Sequence, residues 1–197
     1  MSRIGQMPIP VPGGVQITQD GSVLTVKGPK GTLSRELHPA ISIKQADGQI
    51  VCERPSDSKQ HRSLHGLVRT LVNNMVVGVT QGYEKRMEIL GVGYRAELQG
   101  KVVSLQVGLS HPAVIEPMDG VEFEVGVDTK AGFIVSGQAA RMPFVILRGI
   151  DKEVLGQQAA NIRGIKPCEP YKGKGIRYAG EHVRRKAGKQ GKAGGKK

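Results

Sequence analysis

Apolar and polar residues alternate with a period of two over residues 14–37. Val15 and Ile17, then Val23, Leu24 and Val26, are separated by "QDGS" and followed by "KGPKG", which predicts three short strands joined by turns. "ISIKQADGQIVCERP" repeats the pattern around "ADGQ". The period then changes. Leu64, Leu67, Val68, Leu71, Val72 and Met75 fall on one face of a helix predicted over roughly 58–76, with Ser56, Asp57 and Ser58 as candidate N-caps.

After "GVTQGYEKR" the same order returns. "MEILGVGYRAELQGKVVSLQVG" predicts a hairpin turning at "LQGK"; "VEFEVGVDTK", "GFIVSG" and "FVILRG" predict three further strands. "DKEVLGQQAANIRGI" predicts a second helix, with Asp151 as cap and Leu155, Ala159 and Ile162 on its apolar face. "GSVLTV" corresponds to "GKVVSL" and "QIVCERPSD" to "PFVILRGID", the second offset being longer, which marks an insertion near 129–143. A repeat this long is a duplicated domain rather than a solenoid unit. The expected fold is α+β: two tandem duplicated domains, each a small, mostly antiparallel sheet with one packed helix. The expected boundaries are 1–82 for the first domain and 83–179 for the second, with a basic disordered tail over 180–197.

Charge changes this picture. Eleven of the 29 Lys and Arg but only two of the 17 acids fall in 166–197, a net of +9 against +3 for residues 1–165. Such asymmetry favours a polyanion held from the C-terminal end. No apolar run approaches the about 18 residues of a membrane span, and the opening "MSRIGQMPIPVPGG" lacks a signal-peptide core, so no membrane partner is expected. Cys52 and Cys168 show no metal spacing and are expected as free thiols in a reducing compartment.

The densest chemistry lies in "YKGKGIRY". Lys172, Lys174 and Arg177 can neutralise phosphates, Tyr171 and Tyr178 can stack on a base, and Gly173 and Gly175 let backbone N–H groups approach phosphate oxygens. The alternative is a solvated basic linker. The Lys/Gly tail "HVRRKAGKQGKAGGKK" has one large apolar residue and is expected to order on RNA. Arg62 and Arg69 share a stripe of the first helix with Gly66 and Asn73, an ordinary solvated face being the stronger alternative. Lys27 and Lys30 sit on the "KGPKG" turn, which could meet a phosphate or be a simple hairpin tip.

Other constellations carry less. "GVGYRA" fits a dinucleotide fingerprint, but a hairpin pattern follows where that motif needs a helix. His61 and His65 stand four apart without an acid in the same turn, so they are expected to face solvent or RNA rather than a metal. Glu116, Asp119, Glu122, Glu124 and Asp128 form an acidic run without an intervening cation, expected to face away from nucleic acid or towards a basic protein. No catalytic pair stands out. The rivals to an architectural RNA-binding protein are a dinucleotide-dependent enzyme and a free RNA chaperone.

"SRIGQMPIPVPGGV", "VKGPKG", "SLHGLVRTLVNNMVVGVTQGY", "EILGVGYRAELQGK", "GLSHP", "GIDKEVLGQQAANIR" and "PCEPYKGKGIRYAGE", in this order from residue 2 to 181, resemble blocks of the bacterial-type large-subunit ribosomal protein L6 family. The resemblance implies two duplicated α+β domains. It also implies a cytoplasmic, non-enzymatic protein that binds 23S rRNA in the large subunit, near the stalk base and the sarcin–ricin loop. Other large-subunit proteins would be its neighbours, and elongation factors would dock nearby. No cofactor, metal or small-molecule substrate is implied. Tyr94, Arg95 and His111, within the resembling blocks, join the RNA-contact candidates. The chain departs from the family pattern in the extra "AGFIVSGQAARMP" and in the tail after Glu181.

Overall fold

The computed structural model describes residues 3–46, 48–135 and 138–186. The chain divides into two compact units: residues up to Tyr83 with Gly149–Glu153, and the remainder.

In the first unit β1 (Ile9–Pro10), β6 (Gln49–Glu53) and β5 (Ser42–Ala46) form one antiparallel sheet. β2 (Gln16–Asp20), β3 (Val23–Gly28) and β4 (Gly31–Glu36) form another. Both supply one core: Ile9, Leu24, Val26 and Ile50 are buried with Val68, Val72, Val76 and Val79 of helix α1 (Lys59–Thr80). The Ser58 side chain accepts a hydrogen bond from the His61 N–H at 3.2 Å and caps the helix. α1 runs beyond the expected end at 76 because its last turn is packed: Val76, Gly78 and Val79 are buried. Gly78 is obligatory there, since a Cβ would collide with the Ile150 carbonyl.

The second unit repeats the order. β8 (Arg95–Gln99), β9 (Val102–Gln106) and β10 (Ala113–Ile115) form a three-stranded antiparallel sheet. β7 (Tyr83–Leu90), β11 (Val121–Val135), β12 (Gln138–Gly149) and β13 (Gly175–Tyr178) form a second sheet in the order β11-β12-β7-β13. Helix α2 (Lys152–Ile165) buries Leu155, Ala159 and Ile162, the residues its periodicity selected, and Asp151 accepts the Glu153 N–H at 2.8 Å. The duplicated α+β architecture expected from the repeat is present, with each unit's strands shared between two small sheets.

Two expectations change here. "VEFEVGVDTK" and the "GFIV" of "GFIVSG" belong to one strand, β11, so the extra segment lengthens a pair of neighbouring strands instead of adding an element. The small and polar Lys130–Gly132 stretch reads locally as a turn, but strand pairing overrides local propensity. Residues 136–137 lie outside the described residues. The C-terminal boundary also moves. Residues 180–186 are held to the fold, with the Lys186 N–H donating to the Pro170 carbonyl at 2.8 Å. The expected tail beyond, 187–197, lies outside the described residues.

Candidate nucleic-acid interface

β7 is an inner strand of its sheet, and Met87, Glu88, Ile89 and Leu90 are all buried. A carboxylate in such a place needs a cation or a donor. Arg177 stands directly opposite Glu88 in the β13–β7 register. Its Nε and Nη2 donate to Glu88 Oε2 at 3.0 and 2.7 Å. Ile176 beside it is fully buried. "GIRY" is therefore the edge strand that completes the sheet, and Arg177 is committed to the fold before any phosphate is offered.

Tyr178 is similarly engaged. Lys85 and Arg163 lie 5.3 and 5.8 Å from its ring centroid. Its N–H donates to Glu181 Oε2 at 3.0 Å. Glu181 in turn accepts from Arg163, Nη2 to Oε1 at 2.5 Å and Nε to Oε2 at 3.2 Å. The Arg163 hydrogen bonds, then the Tyr178 backbone N–H, hold the Glu181 carboxyl below its ordinary 4.5. A carboxyl with a lowered native pKa stabilises the fold above its unfolded value, and that contribution is lost as pH falls through the native value. The thermal midpoint is thus expected to drop on acidification below 4.5, and Glu181→Gln to flatten that part of the pH profile. A Gln variant with an unchanged profile would deny Glu181 this role.

The two glycines also work within the fold. Gly173 (φ 72°) and Gly175 (φ 139°) are buried. The Gly173 N–H donates to the Glu169 carbonyl at 3.0 Å, and the Glu169 N–H to the Lys174 carbonyl at 2.8 Å. A Cβ on Gly175 would stand 2.6 Å from the Pro167 oxygen. The expectation that these glycines open backbone N–H groups to phosphate is corrected: they close a tight loop against the chain itself. The loop displays Tyr171 and Lys172, both exposed, with Lys174 half-buried.

Antiparallel pairing places the start of β13 beside the end of β7, Gly175 opposite Leu90. The Glu169–Lys174 loop and the Gly91–Tyr94 turn consequently share one end of this sheet. Tyr94 is half-buried against Gly91, and a Cβ on Gly108 would lie 3.2 Å from its ring. Arg95 and His111 are exposed, and His111 Nδ1 is 3.2 Å from Ser110 Oγ. The structure so gathers Tyr171, Lys172, Lys174, Tyr94 and Arg95 at one end of the second unit. "GVGYRA" is a turn leading into β8, not the strand-to-helix junction a dinucleotide requires.

In the first unit, Lys27 and Arg62 are exposed. Lys30 is tied to the end of α1, its Nζ donating to the Gln81 carbonyl. Arg69 donates to the carbonyls of Met7 and Pro8 at 3.2 and 3.5 Å, so it fastens the N-terminal segment. His65 is not solvent-facing as expected. It is 3% exposed. Its Nε2 donates to the Cys52 carbonyl at 2.9 Å, which leaves Nδ1 to accept from Arg54 at 3.1 Å. Helical periodicity places His65 one turn before the core residues Val68 and Val72, a signal its polar character masks.

Burial first, and for Cys168 also Glu181, pushes both thiols above their ordinary range, so neither Cys52 nor Cys168 is a thiolate at neutral pH. Among the described residues no three His, Cys, Asp or Glu gather as a metal site, and no helix is long and apolar enough to cross a membrane. What this duplicated α+β chain displays at one end of its second unit is cationic and aromatic, the chemistry of a polyanion-binding protein. Comparison with known proteins gives the family. The family model described as ribosomal protein L6 matches residues 11–82 and 90–179. The large ribosomal subunit protein uL6 of Carboxydothermus hydrogenoformans is 52% identical over 196 residues, covering 100% of both chains. That of Chloroflexus aggregans is 54% identical over 194 residues, 98% of this chain and 100% of its own. That of Shouchella clausii is 54% identical over 192 residues, with the same shares. The chain belongs to the ribosomal protein L6 family, a family of non-enzymatic ribosomal components.

Proposed function

We infer that this chain is a structural constituent of the large ribosomal subunit in the cytoplasm. It binds 23S rRNA near the stalk base and the sarcin–ricin loop, beside other large-subunit proteins and where elongation factors dock. The observation that carries the RNA reading is the loop Glu169–Lys174. Two backbone hydrogen bonds hold it, and it presents Tyr171, Lys172 and Lys174 at the chain's cationic end. A prearranged loop places its cations against phosphates with little further loss of conformational entropy. Tyr94, Arg95 and His111 extend the surface. Lys27, Arg62 and Lys30 are the first unit's exposed candidates, Lys30 with its Nζ also tied to the Gln81 carbonyl, while Arg69, Arg177 and Tyr178 contribute through the fold.

The test is Lys172→Gln with Lys174→Gln, measured as equilibrium binding to a 23S rRNA transcript over a range of salt. Affinity is expected to fall, and the log–log salt slope to flatten by about 0.7–0.9 for each phosphate no longer neutralised. An unchanged slope would place the phosphate-binding cations elsewhere.

A further inference from the structure

The matched family stretches end at residue 179, yet the chain stays attached to the fold through Lys186. Glu181 is clamped by Arg163. The Lys186 N–H reaches the Pro170 carbonyl, at the base of the Tyr171–Lys172 tip. The Arg185 guanidinium lies over Gly173, within 3.2 Å of where a Cβ would stand. The turn back leaves a notch of about 490 Å³ lined by Arg177, Glu181, His182, Val183, Arg184 and Arg185. Arg177 and Glu181 are neutralised by Glu88 and Arg163. Arg184, Arg185 and Lys186 are exposed, and none is paired with a carboxylate among the described residues. Arg185 and Lys186 thus meet the loop that carries Lys172 and Lys174 at Gly173 and Pro170, with Arg184 beside them in sequence, and Tyr171, 53% exposed, lies in the chain between those two positions.

We propose that His182–Lys186 is a folded strap forming the second wall of the RNA-binding surface, gripping the phosphates that flank an unpaired base stacked on Tyr171. The proposal rests on the rRNA-binding reading above and deepens it by specifying the RNA: a looped or bulged strand, since bases within a continuous duplex offer no free face to an aromatic ring. Of the two tyrosines in the motif Tyr171 is the exposed one; Tyr178 is half-buried, with Lys85 and Arg163 over its ring.

The experiment compares two variants of the full chain in binding to a 23S rRNA transcript at fixed salt. One is the triple substitution Arg184→Gln, Arg185→Gln, Lys186→Gln. The other lacks residues 187–197, which contain Lys189, Lys192, Lys196 and Lys197. A free polyelectrolyte tail makes the truncation the greater loss, because it removes more charge. A folded strap makes the triple substitution the greater loss, by about tenfold or more. A truncation that costs as much as the triple substitution, or more, overturns the proposal. If the triple substitution lowers the thermal midpoint, Arg184→Gln alone carries the comparison per charge removed. In the second arm Tyr171→Ala is expected to lose roughly 5- to 150-fold in affinity and Tyr171→Phe to retain it; a neutral Tyr171→Ala overturns the stacked base. A parent chain that fails to prefer 23S rRNA over an unrelated transcript of equal length sinks the ribosomal RNA reading, while the order of the two variants still decides the strap.

Discussion

Gly175→Val should unfold the second unit at a temperature at least about 10 °C below the parent chain. A Cβ at this position would stand 2.6 Å from the Pro167 oxygen and 2.8 Å from both the Cys168 Cα and the Lys166 oxygen. All three are backbone atoms, so no side-chain rotation relieves the overlap. The φ of 139° adds strain for any branched side chain. Overpacking and backbone strain together are worth about 3–5 kcal/mol. Gly164→Ala is the control: that glycine lies on the exposed face of α2 with nothing within 4 Å, and the change should be neutral or slightly stabilising. Loss of rRNA binding by Gly175→Val at an unchanged midpoint would return the glycine to the RNA surface.

Arg177→Met should cost the second unit about 3 kcal/mol, because the Glu88 carboxylate, 3% exposed, loses two charge-assisted hydrogen bonds from one guanidinium. Changing both, Arg177→Met with Glu88→Met, should recover much of the loss, since apolar residues of similar volume replace a buried ion pair at little cost. Calorimetric midpoints of the two variants decide the matter. A single variant of unaltered stability but weakened RNA affinity would make Arg177 a phosphate ligand first. The same geometry bears on truncation: removing residues 166–197 takes away β13 as well as the charge, and so confounds RNA affinity with folding. Removal from 187 onward leaves β13 and its ion pair in place.

The duplicated architecture was legible along the chain because its determinants are local. Period-two alternation marks β2, β3, β5 and β6, the "QDGS" and "ADGQ" turns separate them, and the apolar face from Val68 to Met75 marks α1, all set by near neighbours in sequence. Charge asymmetry likewise located the cationic end. What "YKGKGIRY" does could not be read this way. Lys172 and Arg177 look alike in sequence; one stays exposed, whereas the other is drawn to Glu88, 89 residues away, because β13 pairs with β7 in one register. Gly175 reads as a gap left for a ligand until Pro167 and Cys168 are seen to fill it. His65 and the Arg184–Lys186 strap were hidden for the same reason. Periodicity, turn chemistry and net charge, all properties of neighbours along the chain, suffice for the repeat, its elements and the place of the cationic end. Which cations and glycines the fold uses up is settled only in three dimensions, because burial and ion pairing depend on residues that strand pairing and chain reversal bring together.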